Sequence, residues 1–290
     1  GEQPHCNRFL TPAQMNDPDF VEPKYPLQTF FCHNCSLVQL GFTVPPELMF
    51  IDFPYVSGTT QTLTDHFHSL AGELVDRFDV GSDDLVVDIG SNDGTFLKGF
   101  QKQGTRVLGI DPATDIVKMA NDSGVETIDG FFSEELAKDV ARTHGKAKLI
   151  TGAGVFFHVK DLYDFVAGVK ALLADDGVFA VQAIYLADMI ESNSFDNIYH
   201  EHMCYYTLAP MKELLSQVGL EIFDVQRSEI HGGSLMVYAQ SQSSNRSSDT
   251  SRLAEMTAAE EVNGLYGIDI YKRFAKQAQT NRDKLVEIVR

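Results

Sequence analysis

The sequence predicts an α/β fold, a Rossmann-like doubly wound sheet with a terminal antiparallel hairpin, on three observations. Apolar strand-like runs and amphipathic helical stretches alternate from residue 85 to residue 185, and such alternation builds a parallel sheet with helices on both faces. The first run, Leu85-Val-Val-Asp-Ile, breaks into a glycine turn and then a helix. Two later runs, 221–225 and 234–239, follow a helix near 210–218 and read as paired closing strands.

Taken in order, residues 1–50 carry Pro4, Pro12, Pro18, Pro23, Pro26, Pro45 and Pro46 with little periodicity. They suggest a small loop-rich module rather than part of a sheet. From Thr60, the residues Leu63, Phe67, Leu70, Leu74 and Phe78 recur at helical spacing, and Gly81 ends that segment. Strands are then expected over 85–89, 106–110, 125–128, 148–153 and 177–185, separated by helices near 95–103, 114–121, 134–143 and 161–173. Residues 241–251, SQSSNRSSDTS, have linker composition. Beyond them Leu253, Met256, Leu265, Ile268, Tyr271, Ala275, Ala278 and Leu285 predict C-terminal helices whose apolar face needs a partner. The chain opens on Gly1 without a methionine and stops at Arg290 inside a helical pattern, which suggests a fragment. The expected division is a small module over 1–58, the α/β domain over 59–240, and linker plus helices over 241–290 leading to a domain absent from the chain.

A net charge of −18 argues against nucleic acid and anionic membrane as partners, since both require a basic footprint. Any anionic substrate must be held by local donors. No apolar run has the length of a bilayer span, and four cysteines without a signal peptide point to a reducing cytoplasm. Oligomeric state is not legible.

The run Leu85-Val-Val-Asp-Ile-Gly-Ser-Asn-Asp-Gly94 places Gly90 and Gly94 where the backbone passes close to a ligand, at the carboxyl end of the first strand. The pattern is G-x-x-x-G, with Asn92 at the position where a pyrophosphate demands a second glycine. That disfavours a dinucleotide and suits S-adenosylmethionine. Asp88 is expected to meet an ammonium, and Asp111, ending the second strand, to accept from two ribose hydroxyls; the bland alternatives are an ordinary βα turn for Gly90 and Gly94 and a helix N-cap for Asp111. Phe132, after the third strand, is a candidate neighbour of the adenine or a plain core residue.

Cys32-His-Asn-Cys35 is one CxxC, half of what tetrahedral zinc needs. A strand-like Ser-Leu-Val-Gln-Leu follows it, against a thioredoxin-like motif, so half a zinc knuckle with its other pair upstream of Gly1 is expected. Two plain buried cysteines are the alternative.

The densest chemistry is Phe195-Asp-Asn-Ile-Tyr-His-Glu-His-Met-Cys-Tyr-Tyr206, following the fifth strand and so expected over the cofactor's sheet edge. Tyr199, Glu201 and His202 are candidate proton carriers, and an imidazole oriented by a carboxylate suits removal of a proton next to a carbonyl. A metal reading of His200, Glu201 and His202 is weaker, because H-E-H lacks the helical H-E-x-x-H spacing. His158 after the fourth strand and Tyr55 in Phe-Pro-Tyr-Val-Ser-Gly58 could converge there, and His231-Gly-Gly-Ser234 supplies a turn with donors.

Together the runs YPLQTFFCHNCSLVQL, FPYVSGTT, DIGSNDG, FFHV, FDNIYHEH and HGGSL resemble the nucleotide-sugar C-methyltransferases, a family with a zinc-binding N-terminal domain, a class I methyltransferase domain and a C-terminal domain. The resemblance implies Cys32 and Cys35 as two structural Zn2+ ligands whose partners are absent from this chain. It implies His202 as the base next to a 4-keto group, with Tyr199, Glu201, His158 and Tyr55 lining the sugar. It implies no metal in the transfer itself. Gly154, Gln182 and Met236 depart from residues frequent in the family, which leaves the identity of the sugar open. Two rivals remain: O- or N-methylation of another small molecule on the same fold, and a non-catalytic cofactor-binding module.

Overall fold

The structure, a computed structural model, describes residues 1–228, 230–244, 246 and 250–290, with the backbone alone of His231. A seven-stranded sheet forms its centre. It contains β5 (Leu85–Ile89), β6 (Arg106–Asp111), β7 (Thr127–Asp129), β8 (Ala147–Ala153) and β9 (Leu173–Ile184), then β11 (Leu220–Ser228) and β12 (Ser234–Ser241), in the spatial order β11-β12-β9-β8-β5-β6-β7. Only β12 runs against the others among these strands. The chain builds outward from β5 to β7 and then crosses to β8 on the other side of β5. That reversal opens a crevice at the carboxyl ends of β5 and β8, where ligands bind in open α/β sheets.

Strand parity explains why the sheet is apolar on both faces. Leu85, Val87 and Ile89 join one core with Leu108, Ile110, Ile150 and Phe179, covered by α6 (Glu134–His144), α7 (Leu162–Leu172) and α9 (Leu208–Ser216). Val86 joins the opposite core with Leu149, Val178 and Tyr238, covered by α3 (Gln61–Phe78) and α4 (Thr95–Lys102). The remaining sheet helices are α5 (Thr114–Asp122) and the short α8 (Leu186–Ser192). Three expected boundaries move: α3 stops at Phe78 because Asp79 takes a left-handed conformation at φ 51°, before Gly81 is reached. The first closing strand runs on to Ser228, and the fifth parallel strand starts at Leu173 rather than Gly177.

The first fifty residues differ from expectation, for they do contain sheet. β1 (Glu2–Pro4) pairs with β2 (Lys24–Pro26), and β3 (Thr29–Phe31) pairs with β4 (Val38–Leu40). Prolines sit at strand ends, where the missing N–H is tolerated, while α1 (Pro12–Asn16) and α2 (Pro46–Phe50) use proline in their first turn. β4 then pairs with β10 (Cys204–Tyr205), so the module is hydrogen-bonded to the segment rich in His and Tyr.

Two helices follow the closing hairpin, α10 (Ser251–Val262) and α11 (Ile268–Val289). Leu253 and Leu265 are buried, whereas Leu285, Ile288 and Val289 at the far end of α11 are exposed. Of the expected linker, residues 245 and 247–249 lie outside the described residues. No helix among the described residues is long and apolar enough to cross a membrane.

Candidate active site

A cavity of about 940 Å³ lies over the carboxyl ends of β5, β6 and β8. The glycine turn forms its floor. Gly90 takes φ 72°, and a Cβ there would stand 2.9 Å from Val155; Gly94 takes φ 77°, and a Cβ there would stand 2.9 Å from Val125. Both backbone sign and space therefore demand glycine. Asn92 sits between them at φ 52°, and its side chain is a bracket: Oδ1 accepts from Ser57 N–H at 2.8 Å and Nδ2 donates to the Tyr55 carbonyl at 2.9 Å. The 53–58 loop is thereby pinned beside the turn.

Asp111, ending β6, accepts from the amides of Asn92 and Ala113, each at 2.9 Å. Burial raises its pKa, and those two amides pull it back down. Each oxygen accepts one amide and has capacity for another donor, and Asp111 lines the cavity, so the carboxylate remains able to accept hydroxyls. Asp88 is placed differently from its neighbours: it sits behind the turn, fully buried, accepting from Thr151 Oγ1 at 2.6 Å, and burial pushes its pKa up to about 7. Phe132 lines the cavity while packing edge-on against Phe165 at 5.2 Å, and the more exposed Phe131 lies beside it on the wall. Gly90, Asn92 and Asp111 line the cavity, and an open floor of positive-φ residues beside a carboxylate fits a ligand with hydroxyls to donate, such as S-adenosylmethionine.

At the other end of the cavity, Tyr199 and His202 form a dyad. The Asn197 carbonyl lies 2.9 Å from His202 Nδ1, which places the proton there. Nε2 is then an acceptor, and Tyr199 Oη donates to it at 2.6 Å. Burial raises the Tyr199 pKa, with the nearby Glu201 charge adding to it, so the phenol stays protonated as a donor. His158 is fixed likewise, its Nδ1 donating to the Glu201 carbonyl at 2.7 Å. Burial lowers its pKa to about 4, leaving a neutral ring whose Nε2 accepts. The His158 and His202 rings stand 5.2 Å apart. Tyr55 lines the same cavity and is 46% exposed, the most open of the five. The side chain of His231 lies outside the described residues.

Several lining residues carry no signal in the sequence pattern. Asn7 and Phe9 reach the cavity from the N-terminal module, Phe50 and Phe53 add an aromatic wall, and Lys160 brings a cation.

Cys32 and Cys35 are both free thiols, facing a turn in which Ser36 takes φ 63°. The amides of Cys35 and Asn34 directed at the Cys32 sulfur lower its pKa. Burial raises the pKa of Cys35, so the two thiols are shifted in opposite directions. No group of three or more His, Cys, Asp or Glu side chains fit to hold a metal occurs among the described residues. The pair accounts for half of a tetrahedral site and no more.

One cavity joins the glycine turn, the acidic strand end and the Tyr199–His202 pair on a doubly wound α/β sheet, and known proteins share features of this chain. A methyltransferase-domain family model matches residues 64–225, and the chain belongs to that family. A zinc-binding-domain model matches residues 1–50, and a C-methyltransferase C-terminal-domain model matches residues 229–290. The chain is 36% identical over 269 residues to the C-methyltransferase NovU of Streptomyces niveus, covering 93% of this chain and 64% of that protein. It therefore spans somewhat under two thirds of the curated relative it matches. Among solved structures, an S-adenosylmethionine-dependent methyltransferase from Clostridium acetobutylicum is 10% identical, with 61% of this chain and 91% of that chain covered and a TM-score of 0.48. The magnesium protoporphyrin IX methyltransferase from Synechocystis with bound S-adenosylhomocysteine is 15% identical, with 61% and 82% covered and a TM-score of 0.47.

Proposed function

We propose that this chain is the catalytic core of an S-adenosylmethionine-dependent C-methyltransferase acting on a nucleotide-linked keto-deoxysugar. The observation that carries the reading is the Tyr199–His202 dyad, 2.6 Å between heteroatoms, lining the same cavity as the glycine turn and Asp111. Its support is the name of the relative, a C-methyltransferase, together with the sequence runs at both ends of the cavity.

S-adenosylmethionine, when bound along the glycine turn, supplies an electrophilic methyl group. Everything else falls to the chain. His202 Nε2 takes the proton from the carbon next to the keto group; that C–H bond breaks and its electron pair moves onto the carbonyl oxygen. Tyr199, released from Nε2, donates to the developing oxyanion, the group whose stabilisation contributes most in such steps. Asn197 holds the resulting imidazolium through Nδ1. His158, neutral across the working range, accepts from a sugar hydroxyl, and Lys160 is the local cation for an anionic substrate in a chain of net charge −18. The cavity walls keep the carbon and methyl in line, which is where positioning lowers the barrier. Zinc has no part in these steps; Cys32 and Cys35 belong to the folding of the N-terminal module.

The test is incubation of the protein with 4-keto nucleotide sugars in deuterated water, with and without S-adenosylmethionine. The expected result is deuterium at the carbon next to the keto group, abolished by His202→Asn, and a methyl on that carbon when cofactor is present. Methylation of oxygen or nitrogen without exchange would favour the rival chemistry. Absence of both exchange and methylation would overturn the reading.

A further inference from the structure

Residues 5–9 lie nearly two hundred positions from the dyad in sequence, yet they close one end of its cavity. Asn7 and Phe9 line it. Asn7 Nδ2 donates to both carboxylate oxygens of Glu201, at 3.0 and 2.9 Å, and His5 Nε2 lies 3.3 Å from Oε1. The Glu201 carboxylate is only 1% exposed. Its backbone works in the other direction, the carbonyl accepting from His158 Nδ1. One residue thus ties both the arm and a site imidazole to the segment that carries Tyr199 and His202.

Besides the His5 side chain, 7% exposed with its ring 6.2 Å from that of His200, little else holds the arm. Its strand, β1, has three residues and belongs to a two-stranded sheet, a ribbon of marginal stability by itself. Within 5–9 the only backbone bond among the described residues runs from Arg8 N–H to the His5 carbonyl, at a long 3.4 Å. Phe9, 82% exposed, adds almost no burial. A second tether reaches the ribbon from the neighbouring residue, where His200 Nε2 meets the Tyr25 carbonyl at 3.2 Å. A bidentate acceptor at Glu201 is therefore the strongest single fixture the arm has, since hydrogen bonds to a charged group contribute about twice what neutral ones do.

We propose that Asn7 and Glu201 form a clamp that holds residues 5–9 as the wall of the acceptor pocket, so that Glu201 is a positioning residue and the arm decides which acceptor is held. The proposal rests on reading the cavity as a methyl-acceptor site. Both Glu201 oxygens point at the arm, so proton transfer is left to His202 and Tyr199.

The clamp is tested by exchanging its donor and acceptor. Asn7→Asp sets two carboxylates about 3 Å apart, at which separation both cannot stay ionised without repulsion. The double variant Asn7→Asp with Glu201→Gln restores one amide facing one carboxylate. Amide hydrogen exchange at residues 5–9 is expected to quicken at least about tenfold in Asn7→Asp, the worth of one charge-assisted hydrogen bond. The KM for the acceptor is expected to rise by a similar factor, with the S-adenosylmethionine dissociation constant unmoved, and the double variant is expected to recover both. Unchanged exchange in Asn7→Asp overturns the clamp. So does faster exchange with an unmoved acceptor KM, or a double variant that recovers neither. Should the wild-type protein turn over no keto sugar, the functional reading fails, while the exchange comparison still decides the clamp.

Discussion

Replacing Glu260 by alanine is expected to destabilise the protein by about 3–5 kcal/mol. Glu260 on α10 is buried and serves three donors. Its carboxylate accepts from the Leu208 amide at 2.9 and 3.1 Å, from Tyr185 Oη at 2.9 Å and from Tyr266 Oη at 2.5 Å. Leu208 opens α9, whose own N-cap, Thr207, makes no side-chain cap bond, so Glu260 caps that helix from elsewhere in the chain. In the alanine variant Tyr266, partly exposed, regains water. Leu208 N–H, the capped amide, and Tyr185 Oη stay buried without an acceptor, at about 1–3 kcal/mol each. The removed carboxylate no longer bears its own desolvation, which trims the sum. Glu260→Gln keeps an acceptor but turns an NH₂ toward donors, so about 1–2 kcal/mol is expected. Urea unfolding followed by circular dichroism gives both values. A loss below about 1 kcal/mol for the alanine variant would refute the assignment of this carboxylate as the cap.

Three further outcomes are expected. Tyr199→Phe removes the donor to the oxyanion and should lower kcat about 10²–10³-fold while S-adenosylmethionine binding, measured by calorimetry, persists. Asp88 titrates at about 7 folded against an ordinary 3.8, so between those values the folded state binds more protons than the unfolded one. Stability should therefore fall as pH rises from about 4 to about 7 and level off above; urea midpoints at pH 5 and pH 8 should differ more in wild type than in Asp88→Asn, and equal differences would contradict the shift. Lys160→Ala should raise the KM for an anionic acceptor about 1.5-fold to fivefold, the effect of one exposed cation, with kcat little changed in steady-state assays.

The fold was legible because its signals are local. Gly90, Gly94 and Asp111 obey backbone rules that act within a few residues, and alternating strands and helices follow from burial on two sheet faces. Asp88 shows where local reading stops. Strand parity puts it on the side of Val86, toward Thr151 on the next strand, and only the turn residues after it face the cavity. The N-terminal module was hidden for another reason. Its strands are three residues long, too short for any period to show, and β4 depends on β10 more than 160 residues later. Contacts such as Asn7 to Glu201 leave no trace in spacing, since neither residue's neighbours constrain the other.

The run His200-Glu201-His202 illustrates how geometry decides between chemistries that composition leaves open. Three consecutive potential ligands invite a metal, but the backbone turns sharply there, with His202 N–H donating to the Tyr199 carbonyl at 3.0 Å. The turn sends the side chains apart: His200 to the Tyr25 carbonyl, Glu201 to Asn7 and His5, His202 to Tyr199 and Asn197. Ligands of one ion must converge within roughly 2 Å of a point, and these diverge onto three different elements. What the turn makes instead is a junction. Glu201 and His202 each fix a separate part of the cavity lining, His200 fixes the strand that carries Tyr25, and the imidazole that remains beside the tyrosine has its tautomer set by a carbonyl. A base needs that arrangement, because the nitrogen that receives a proton must be the one already stripped of it.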